Sequence, residues 1–510
     1  MRPILTQLLD CPGESWLQPA LVTSSPDCML TYDELSERVR DLAACLEGAG
    51  VTRGTRVVLV FGNGPELVQL LLAVNSLGAV AAPLNPAYTA REYAFFLDDI
   101  RPSFVIVPAG EFTVVGDLAG PDVRVFEAFV SPPKATVVLR SGGKKLRKSR
   151  SAAEEPSPDD AALLLHTSGT TARPKQVPLL HRNLVATTRH IVDHYALTEN
   201  DVTYCVMPLF HVHGLVASVF ATLMSGGTVV LPRRVSPRRF RYDLLTRGVT
   251  WFTSAPTLLR MLLDGAAAES PPAVPSLRFA RTCSSPLALE LQLRAEHELG
   301  VPVLEAYGMT EAAHQISANP LPPGECRPGT VGIGTGTQIR VVDATGGEVP
   351  FGTTGEVVIM GPGVMPGYLR NPEANAEGFF GSWFRTGDLG VMEDGYLRLR
   401  GRLKEMILRG GENVSPYEIE AVLLGFPGVV DAVCFGVPDR KYGELVAAAV
   451  SVDAPLDQGE LIRHCRERLA AYKVPSAIRT VDVIPRTATG KLQRSRMASL
   501  LAEDRAVGSL

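Results

Sequence analysis

The chain has 510 residues, too many for one ordinary hydrophobic core, so its length predicts two or more domains. Hydrophobic residues make up 45% of it, charged residues 20% and aromatic residues 6%, which excludes disordered and fibrous proteins and is typical of a soluble globular protein. The formal net charge of −4 gives no general attraction to nucleic acid or to an anionic membrane.

The cysteines and the N-terminal segment bear on the compartment. The eight cysteines are scattered without a C-x-x-C pair, which predicts reduced thiols in a cytosolic protein. The N-terminal segment "MRPILTQLLDCPGESW" has too little apolar content for a signal peptide, and no apolar run reaches ~18 residues. We therefore expect a cytoplasmic protein with no membrane span and no nucleic-acid partner.

Helices and strands alternate over the first hundred residues. Apolar residues at helical spacing alternate with short apolar runs typical of buried strands, and such alternation predicts a parallel sheet of the α/β class. The predicted elements, in chain order, are a helix at 30–51, a strand at 56–62, a helix at 66–80, a strand and turn at 81–86, a helix at 91–100 and a strand at 104–109.

The segment 141–160 is polar, charged and rich in Ser and Pro, and it interrupts the alternation. Its basic cluster could be a localisation signal or a nucleic-acid patch. Acidic residues follow the cluster and no aromatics interleave it, which favours a solvated surface loop. The basic residues are Lys144, Lys145, Arg147, Lys148 and Arg150.

The rest of the chain changes character twice. Alternation resumes at 161, the segment 338–362 is typical of a small antiparallel unit, and a compact α+β pattern of about a hundred residues begins near 401. These patterns predict a large N-terminal domain, 1–400, and a small C-terminal domain, 401–510.

The stretch "LLLHTSGTTARPKQVPL" places hydroxyls, a glycine and a lysine behind an apolar run. Hydroxyl and backbone donors with a lysine suit a phosphate, and glycine lets backbone amides approach it closely. The pattern G-x-x-x-x-G-K-[ST] is absent, which excludes an ordinary P-loop NTPase. Alone, such a loop is more often a turn than a phosphate cradle. Its candidate residues are Thr167, Ser168, Gly169, Thr170, Thr171 and Lys175.

Two other patterns suggest ligands and are not favoured. "GIGTGT", 332–337, has the wrong spacing for a dinucleotide fingerprint and lies among short strands. His211 and His213 in "HVHG" are expected on one side of an extended segment, which could suit a metal. No cysteine or acidic residue stands near them in sequence, which disfavours zinc.

Four later segments make the phosphate interpretation specific. "EAYGMTEA", 305–312, offers an aromatic ring, a hydroxyl and a carboxylate, and "FRTGDLG", 384–390, offers a carboxylate suited to a ribose diol. "GRLKEMILRGGENVSPYEIE" begins at 401, and "PRTATGKLQR" places Lys491 in a Thr-Gly turn. Each segment is weak alone, but their order and spacing together are highly specific.

With these motifs the chain resembles the adenylate-forming superfamily of acyl-CoA synthetases, peptide-synthetase adenylation domains and luciferases, from "LTYDEL" to "TGKLQR". It is most similar to the oxalyl-CoA synthetase type, through "PLFHVHGL", "RTCSS", "SANPLP" and "FGVPD". The resemblance implies a large α/β N-terminal domain of parallel and mixed sheets with a small antiparallel unit, followed by a small mobile α+β domain. It also implies that ATP, with Mg²⁺, converts an acid to an acyl adenylate, from which CoA displaces AMP.

The resemblance assigns the nucleotide site residue by residue. The loop 167–175 holds the β- and γ-phosphates, Tyr307 stacks on adenine, and Thr310 contacts the α-phosphate. Glu311 ligates Mg²⁺. The ribose is held by Asp388 with help from Arg402. The neighbouring nucleotide-site residues are Ser285, Glu305, Ala306 and Gly308.

The resemblance also implies a moving C-terminal domain. Lys491 bridges the acid's carboxylate and the α-phosphate, and a rotation at the hinge residue Lys404 would withdraw it. The same rotation would bring the "RGGE" loop forward to shape a tunnel for CoA. The expected CoA contacts are Arg409, Gly410, Gly411 and Lys441.

Four positions depart from the family pattern. Ala172 and Gln176 stand where glycines are usual, which stiffens the phosphate loop by a few tenths to ~1 kcal/mol. Ser284, with Ser285, replaces the usual small residues before Pro286.

Polar residues dominate the segments expected to form the acid pocket. His211, which is also a catalytic candidate, His213, Ser284 and His314 would line a long alkyl chain poorly, because buried polar atoms without partners cost ~1–3 kcal/mol each. They would serve a second carboxylate well, which favours a small polar acid such as oxalate. Gly308 is expected to enlarge the acid pocket, so an aryl or medium-chain acid stays an alternative.

Other acceptors and functions stay open at this stage. A carrier-protein thiol could replace CoA, and a pocket narrowed by His314 could hold nitrite, as in the similar ATP-dependent diazotases that act on an arylamine. A non-catalytic binding protein of the same fold is disfavoured by intact Thr310, Glu311, Asp388 and Lys491.

Overall fold

The structure is a computed structural model. It describes residues 4–9, 15–24, 27–131, 134–149, 154–167, 174–265, 274–487, 492–494 and 496–499. Within these residues no helix is long and apolar enough to cross a membrane.

The strands of the described residues run the length of the chain. Those before residue 200 are β1 (Pro19–Ser24), β2 (Asp27–Thr31), β3 (Arg56–Val60), β4 (Val80–Leu84), β5 (Phe104–Pro108), β6 (Arg124–Ser131), β7 (Thr136–Ser141), β8 (Lys144–Lys145), β9 (Ala161–His166) and β10 (Gln176–Leu180). Those from 200 to 370 are β11 (Val202–Cys205), β12 (Thr228–Val230), β13 (Trp251–Ser254), β14 (Phe279–Thr282), β15 (Val303–Met309), β16 (His314–Ala318), β17 (Ile333–Gly334), β18 (Gln338–Val342) and β19 (Gly355–Met360). The remainder are β20 (Phe379–Phe380), β21 (Trp383–Glu393), β22 (Tyr396–Arg402), β23 (Ile407–Arg409), β24 (Glu412–Val414), β25 (Val429–Asp439), β26 (Gly443–Val452) and β27 (Ala477–Thr480).

The helices fall between these strands. The α-helices are α1 (Tyr32–Gly48), α2 (Pro65–Ser76), α3 (Ala90–Ile100), α4 (Thr113–Leu118), α5 (His181–His194), α6 (Ala221–Met224), α7 (Pro237–Thr246), α8 (Pro256–Asp264), α9 (Leu289–Leu299), α10 (Pro372–Gly378), α11 (Pro416–Leu424) and α12 (Gln458–Arg468). A π-helix covers His213–Phe220, and 3-10 helices cover Leu5–Leu9, Ser15–Leu17, Thr310–Ala312 and Leu403–Glu405.

Two large mixed sheets form the N-terminal part. In the first the order is β17-β16-β15-β14-β13-β11-β12-β1-β2, with β11 to β15 parallel and antiparallel pairs at both edges. In the second it is β10-β9-β4-β3-β5-β6-β7-β8, parallel from β9 to β6. Helices α1, α2 and α5 bury their apolar faces in one continuous core with both sheets. Helices α7, α8 and α9 form a second core on the opposite face of the first sheet.

Two smaller sheets complete the chain. The antiparallel sheet β18-β19-β21-β20, with β22 beside β21, fulfils the expectation of a small antiparallel unit, and the sheet β24-β23-β26-β25, with β27 beside β26, packs against α11 and α12. Together with the two large sheets, these units confirm the predicted fold class. The third sheet ends at Arg402 and the fourth begins at Ile407, with Leu403–Glu405 between them. The division into domains 1–400 and 401–510 stays a prediction.

Local sequence explains where the helices begin. In α1, Oγ1 of Thr31 accepts the amide hydrogen of Glu34, and the Glu34 carboxylate accepts that of Thr31, which together form a capping box. Residues Leu35, Val39 and Leu42 then recur on the buried face at helical spacing. The predicted helices at 30–51 and 66–80 are present but shorter, as α1 and α2, and the one predicted at 91–100 begins one residue earlier, as α3.

Two local expectations need correction. In the basic cluster, Lys144, Lys145, Arg147 and Lys148 are exposed, as expected for a solvated surface segment, whereas Arg150 lies outside the described residues. The segment is not entirely a loop, because β8 pairs with β7 and the amide of Ser149 donates to the carbonyl of Ala44. His211 and His213 do not share an extended strand either, because His213 begins the π-helix. Helical turns of this type are frequent at functional sites.

Candidate active site

One cavity collects most of the predicted site residues. It opens where β15 turns into β16, beside the ends of β14 and β22 and the start of the π-helix. Its predicted lining residues are Thr167, His211, His213, Ser284, Ser285, Glu305, Ala306, Tyr307, Gly308, Thr310, Glu311, His314, Asp388 and Arg402.

The end of the cavity predicted to hold the ribose is built from three linked side chains. The phenol of Tyr307 donates to Oδ2 of Asp388, and Nε of Arg402 lies 2.7 Å from Oδ1 of the same carboxylate. Asp388 and Arg402 stand opposite each other in the β21–β22 pair, so strand register sets the ion pair. The carboxylate raises the pKa of Arg402, so this end of the cavity holds a fixed charge pair.

The end of the cavity around Glu311 contains a residue that the sequence did not single out, Tyr368. Tyr368 donates its phenolic hydrogen to Oε1 of Glu311 over 2.9 Å, and Nζ of Lys175 lies 4.5 Å from the centre of its ring. Burial and Glu311 raise the pKa of Tyr368, so the phenol keeps its hydrogen. Oε2 of Glu311 has no hydrogen bond within the described residues, which leaves it available for a cation such as Mg²⁺.

Glu305 is a buried residue of the cavity lining, in the segment predicted to contact adenine. Burial raises its pKa to about 8, although its Oε1 accepts the amide hydrogen of Leu287 over 3.1 Å. At neutral pH the carboxyl is therefore mostly protonated and can donate as well as accept a hydrogen bond.

Polar side chains form a hydrogen-bond network along one wall of the part of the cavity predicted to receive the acid. Nδ1 of His213 lies 2.9 Å from Oγ of Ser284, and its Nε2 lies 2.7 Å from Oγ1 of Thr253. His213 is only 1% exposed. Both of its nitrogens are engaged by protein, so His213 supports Ser284 and does not offer a free nitrogen to an acid.

Arg281 lies behind this wall and was missed from the sequence. It is 0% exposed, in the middle of β14. One terminal nitrogen donates to Oγ1 of Thr253 over 2.9 Å, and the other contacts Nε2 of His314 at 3.0 Å and Oε1 of Gln315 at 3.1 Å. Burial and this guanidinium hold the pKa values of His213 and His314 well below their usual range, so both rings are neutral.

Unusual backbone conformations occur at the same wall. Three non-glycine residues at or next to this wall have positive φ: Ser284 (φ 81°), Ala313 (φ 53°) and His314 (φ 127°). Such conformations cost roughly 1–3 kcal/mol each and persist where the surroundings hold them. The chain thus places both Ser284 and His314 at strained positions facing the cavity.

Gly308 has a different role from the one expected. A Cβ built on Gly308 would lie 1.9 Å from the carbonyl oxygen of His314, across the β15–β16 pair. The glycine therefore permits close strand approach at the register shift between Tyr307 and Gly308 and does not create room for a larger acid.

The segment 492–494 also borders the cavity. Leu492 and Arg494 line it, and Arg494 forms a bidentate pair with Glu420 at 2.7 and 3.0 Å. Nε of Arg494 is 3.0 Å from Oε2 of Glu405, next to the predicted hinge residue Lys404. These bonds join the region of residue 494 to the hinge.

Several predicted residues lie elsewhere. Ser168, Gly169, Thr170, Thr171, Ala172 and Lys491 fall outside the described residues. The predicted CoA contacts gather near the β23–β24 turn and do not line the cavity. The amide of Gly410 donates to the carbonyl of Tyr442, and Nζ of Lys441 lies 4.9 Å from the centre of the Tyr442 ring. Arg409 donates to the carbonyl of Tyr472, and Gly411 has φ 90°.

Gln176, a departure from the family pattern, has a local partner. Its amide nitrogen lies 2.6 Å from Oδ2 of Asp99, which also contacts Nε2 of His166 at 3.0 Å. The side chain therefore fixes the strand that follows the phosphate loop.

Comparisons with known proteins identify the family of the chain. The chain matches the AMP-binding enzyme family over residues 17–369 and its C-terminal domain over 418–491, and it belongs to that family. It is 42% identical to an oxalate–CoA ligase of Arabidopsis thaliana, covering 98% of this chain and 99% of the relative, and 37% identical to a sulfoacetate–CoA ligase of Cupriavidus necator, covering 94% of each. The crystal structure of ATP-bound MatB from Rhodopseudomonas palustris superimposes with a TM-score of 0.89 at 31% identity, covering 98% of this chain and 99% of that one.

These matches confirm the resemblance drawn from the sequence motifs. The chain is an adenylate-forming enzyme of the acyl-CoA synthetase branch, similar to the oxalate–CoA ligases.

Proposed function

We propose that this enzyme activates a small acid that carries a second anionic group, with oxalate as the leading candidate. The enzyme is an ATP-dependent, AMP-forming acid–CoA ligase. ATP and the acid give an acyl adenylate and pyrophosphate, and the CoA thiol then displaces AMP, which is a good leaving group.

The polar end of the cavity carries the proposal. Ser284 and His314 line it, and the buried guanidinium of Arg281 stands behind them. An alkyl chain placed there would leave these groups unpaired, at ~1–3 kcal/mol each, whereas a second carboxylate would accept hydrogen bonds from both. Relatives named for oxalate and for sulfoacetate support this, because both acids carry a second anionic group.

Charge develops at the α-phosphate in the first step, so positioned cations matter most there. Glu311 would hold Mg²⁺ through its free Oε2, and the ion would neutralise charge on the phosphate oxygens. Asp388 is oriented by Tyr307 and Arg402 to accept from the ribose hydroxyls. Tyr307 presents its ring to adenine, and Thr310 contacts the α-phosphate.

Lys491 is the proposed cation that bridges the acid and the α-phosphate. Its neighbours Leu492 and Arg494 line the cavity, which supports this role. Lys491→Ala should abolish pyrophosphate release from ATP and acid yet leave CoA transfer from a supplied acyl adenylate. Full pyrophosphate release by the variant would contradict the assignment.

The CoA contacts and the compartment are also proposals. We propose that Arg409, Gly410, Gly411 and Lys441 contact CoA after rotation at Lys404. We also propose a cytoplasmic location. The seven cysteines among the described residues form no disulfide, as in a reducing compartment.

A pyrophosphate-release screen tests the substrate. Oxalate, sulfoacetate, hexanoate, benzoate and nitrite are each supplied with ATP and Mg²⁺, with and without CoA, and products are identified by mass spectrometry. We expect oxalate to give the highest kcat/KM and an oxalyl-CoA product. Preference for hexanoate, benzoate or nitrite would contradict the proposal.

His314→Ala separates a binding role from general damage. We expect at least ~10-fold lower kcat/KM for oxalate, with a smaller loss for hexanoate, because only oxalate has a second group to bind. Equal losses for both acids would contradict a carboxylate-binding role for His314.

A further inference from the structure

Arg281 is a buried cation whose hydrogen-bond partners are all neutral. Within the described residues it forms no ion pair with a carboxylate, and its hydrogen bonds go to Thr253, His213, His314 and Gln315. The uncharged side chains of Tyr195 and Cys283 also lie next to it. A guanidinium has five N–H donors and no acceptor. Each partner must therefore turn an acceptor atom toward it.

This requirement sets the direction of the Thr253–His213–Ser284 chain. Oγ1 of Thr253 accepts from Arg281, so its own hydrogen is free for Nε2 of His213, 2.7 Å away. Nη1 of Arg281 also lies 3.5 Å from that Nε2, which disfavours a hydrogen on it. The ring hydrogen of neutral His213 then sits on Nδ1 and donates to Oγ of Ser284 over 2.9 Å. The hydroxyl hydrogen of Ser284 is left to point into the cavity.

The opposite direction would leave a buried group unsatisfied. If Nε2 of His213 carried the hydrogen, Thr253 would receive two donors, and its own hydroxyl hydrogen would have no acceptor in either of its hydrogen-bond partners among the described residues, His213 and Arg281. Thr253 is 0% exposed, so water does not replace the missing acceptor.

The same logic fixes His314. Nη2 of Arg281 donates to Nε2 of His314 at 3.0 Å, so the hydrogen of this neutral ring sits on Nδ1. Nδ1 makes no hydrogen bond within the described residues, and the ring lines the cavity. Oε1 of Gln315 accepts a second hydrogen bond from the same Nη2, and its amide nitrogen donates to Oγ1 of Thr335.

We propose that Arg281 is a positioning residue that fixes the hydrogens of both histidines, so that the acid pocket offers only donors to the second group of the substrate. The donors are Oγ–H of Ser284 and Nδ1–H of His314. The substrate class is then an acid whose second group has acceptor oxygens and no donor, such as a carboxylate or a sulfonate, and a carboxamide is rejected. The substrate preference rests on the function proposed above, whereas the hydrogen positions are a property of the free enzyme.

The first experiment reads the hydrogen positions without substrate. The enzyme, which has nine histidines, is labelled with 15N-histidine, and the ring signals are assigned with His213→Gln and His314→Gln variants. We expect both rings to be neutral from pH 6 to 8, with the hydrogen on Nδ1. A hydrogen on Nε2 of either ring, or an imidazolium at pH 7, would overturn the proposal whatever acid the enzyme uses.

The second experiment breaks the chain at Thr253. Thr253→Val removes the hydroxyl link at nearly constant volume, and Thr253→Ser is the matched control that keeps it. For wild type and Thr253→Ser, kcat/KM for oxalate should exceed kcat/KM for oxamate on the order of 100-fold. The reason is that the NH2 group of oxamate is a donor and would face the donors of the pocket. In Thr253→Val the preference should shrink by at least ~10-fold, because His213 is released to donate from either nitrogen.

The outcomes separate this proposal from the proposed function. Equal use of oxamate and oxalate by the wild type, or identical preferences for the two Thr253 variants, would overturn the donor-only pocket while leaving an oxalate-activating enzyme intact. An enzyme that activates only hexanoate or benzoate, yet shows both hydrogens on Nδ1, would overturn the proposed acid and retain the role of Arg281. The spectra also decide the matter if Thr253→Val does not fold.

Discussion

Oε1 of Glu311 accepts a hydrogen bond from the phenol of Tyr368 over 2.9 Å. The same ring lies under Nζ of Lys175, at 4.5 Å. Tyr368 thereby connects the lysine of the phosphate loop to the carboxylate proposed to hold Mg²⁺, and it leaves Oε2 of that carboxylate unoccupied by other described residues. Partners of this kind orient metal ligands.

Tyr368→Phe should weaken the metal requirement of adenylation without altering the fold. We expect the Mg²⁺ concentration for half-maximal pyrophosphate release to rise by roughly 10-fold, because Glu311 loses the donor that orients it. The matched control is Tyr396→Phe, since the phenol of Tyr396 donates to the carbonyl of Glu325 away from the cavity. Identical Mg²⁺ dependence of the two variants would count against an orienting role.

Arg494 should be essential to the C-terminal domain. Its guanidinium is buried between Glu420 and Glu405, and removing one partner of a buried pair costs about 3–5 kcal/mol because the other charges stay buried. We expect Arg494→Met to lower the unfolding free energy by that order and to impair pyrophosphate release. The control is Arg496→Met, an exposed arginine of the same segment. Denaturant unfolding that gave both variants the same stability would contradict this expectation.

Local patterns explain what the sequence predicted well. The helices and strands of the first hundred residues follow periodicity and caps that a few neighbouring residues specify, such as the box at Thr31 and Glu34. The cavity residues Tyr307, Glu311 and Asp388 followed from the family resemblance, because their segments keep fixed order and spacing.

The residues that were missed depend on long-range packing. Arg281 is one of two arginines in "RFARTCSS", and only the position of β14 between β13 and β15 buries it beside Thr253 and His314. A charged residue inside an otherwise buried strand was the available signal, since arginine is rarely buried without a functional or charged partner. Tyr368 gave no such signal, because its partner Glu311 is 57 residues away in sequence.

Glu305 should make stability depend on pH. Burial raises its pKa to about 8 in the folded protein from the usual 4.5, so between these values the folded state keeps a proton that the unfolded state has lost. This contribution to stability is complete below about pH 4.5 and is lost as pH rises to about 8, at up to roughly 1.4 kcal/mol per pH unit.

The measurement is denaturant unfolding of wild type and Glu305→Gln from pH 6 to 9. The glutamine keeps an acceptor for the amide of Leu287 but cannot ionise, so its stability relative to wild type should increase with pH. Glu348→Gln, at an exposed ion pair with Arg340, is the control and should show no such trend. A constant difference between Glu305→Gln and wild type would show that Glu305 does not ionise in this range.

The charge of Arg281 can be tested separately from its hydrogen-bond directions. Gln315→Glu keeps an acceptor oxygen 3.1 Å from Nη2 of Arg281 but adds a negative charge that compensates the guanidinium. Because Gln315 is absent from the described lining of the cavity, the change should act through the field and not through contact with the acid. We expect KM for oxalate to rise roughly 10-fold, with little change in KM for ATP.

Thr335→Val is the matched control for this variant. It removes the other hydrogen bond of the Gln315 side chain, 3.2 Å from Nε2 to Oγ1 of Thr335, without adding a charge. Steady-state kinetics with oxalate and ATP as the varied substrates should leave KM for oxalate near the wild-type value in this control. If both variants raise KM for oxalate equally, packing around Gln315 explains the effect; if Gln315→Glu leaves KM unchanged, the buried charge of Arg281 does not attract the acid.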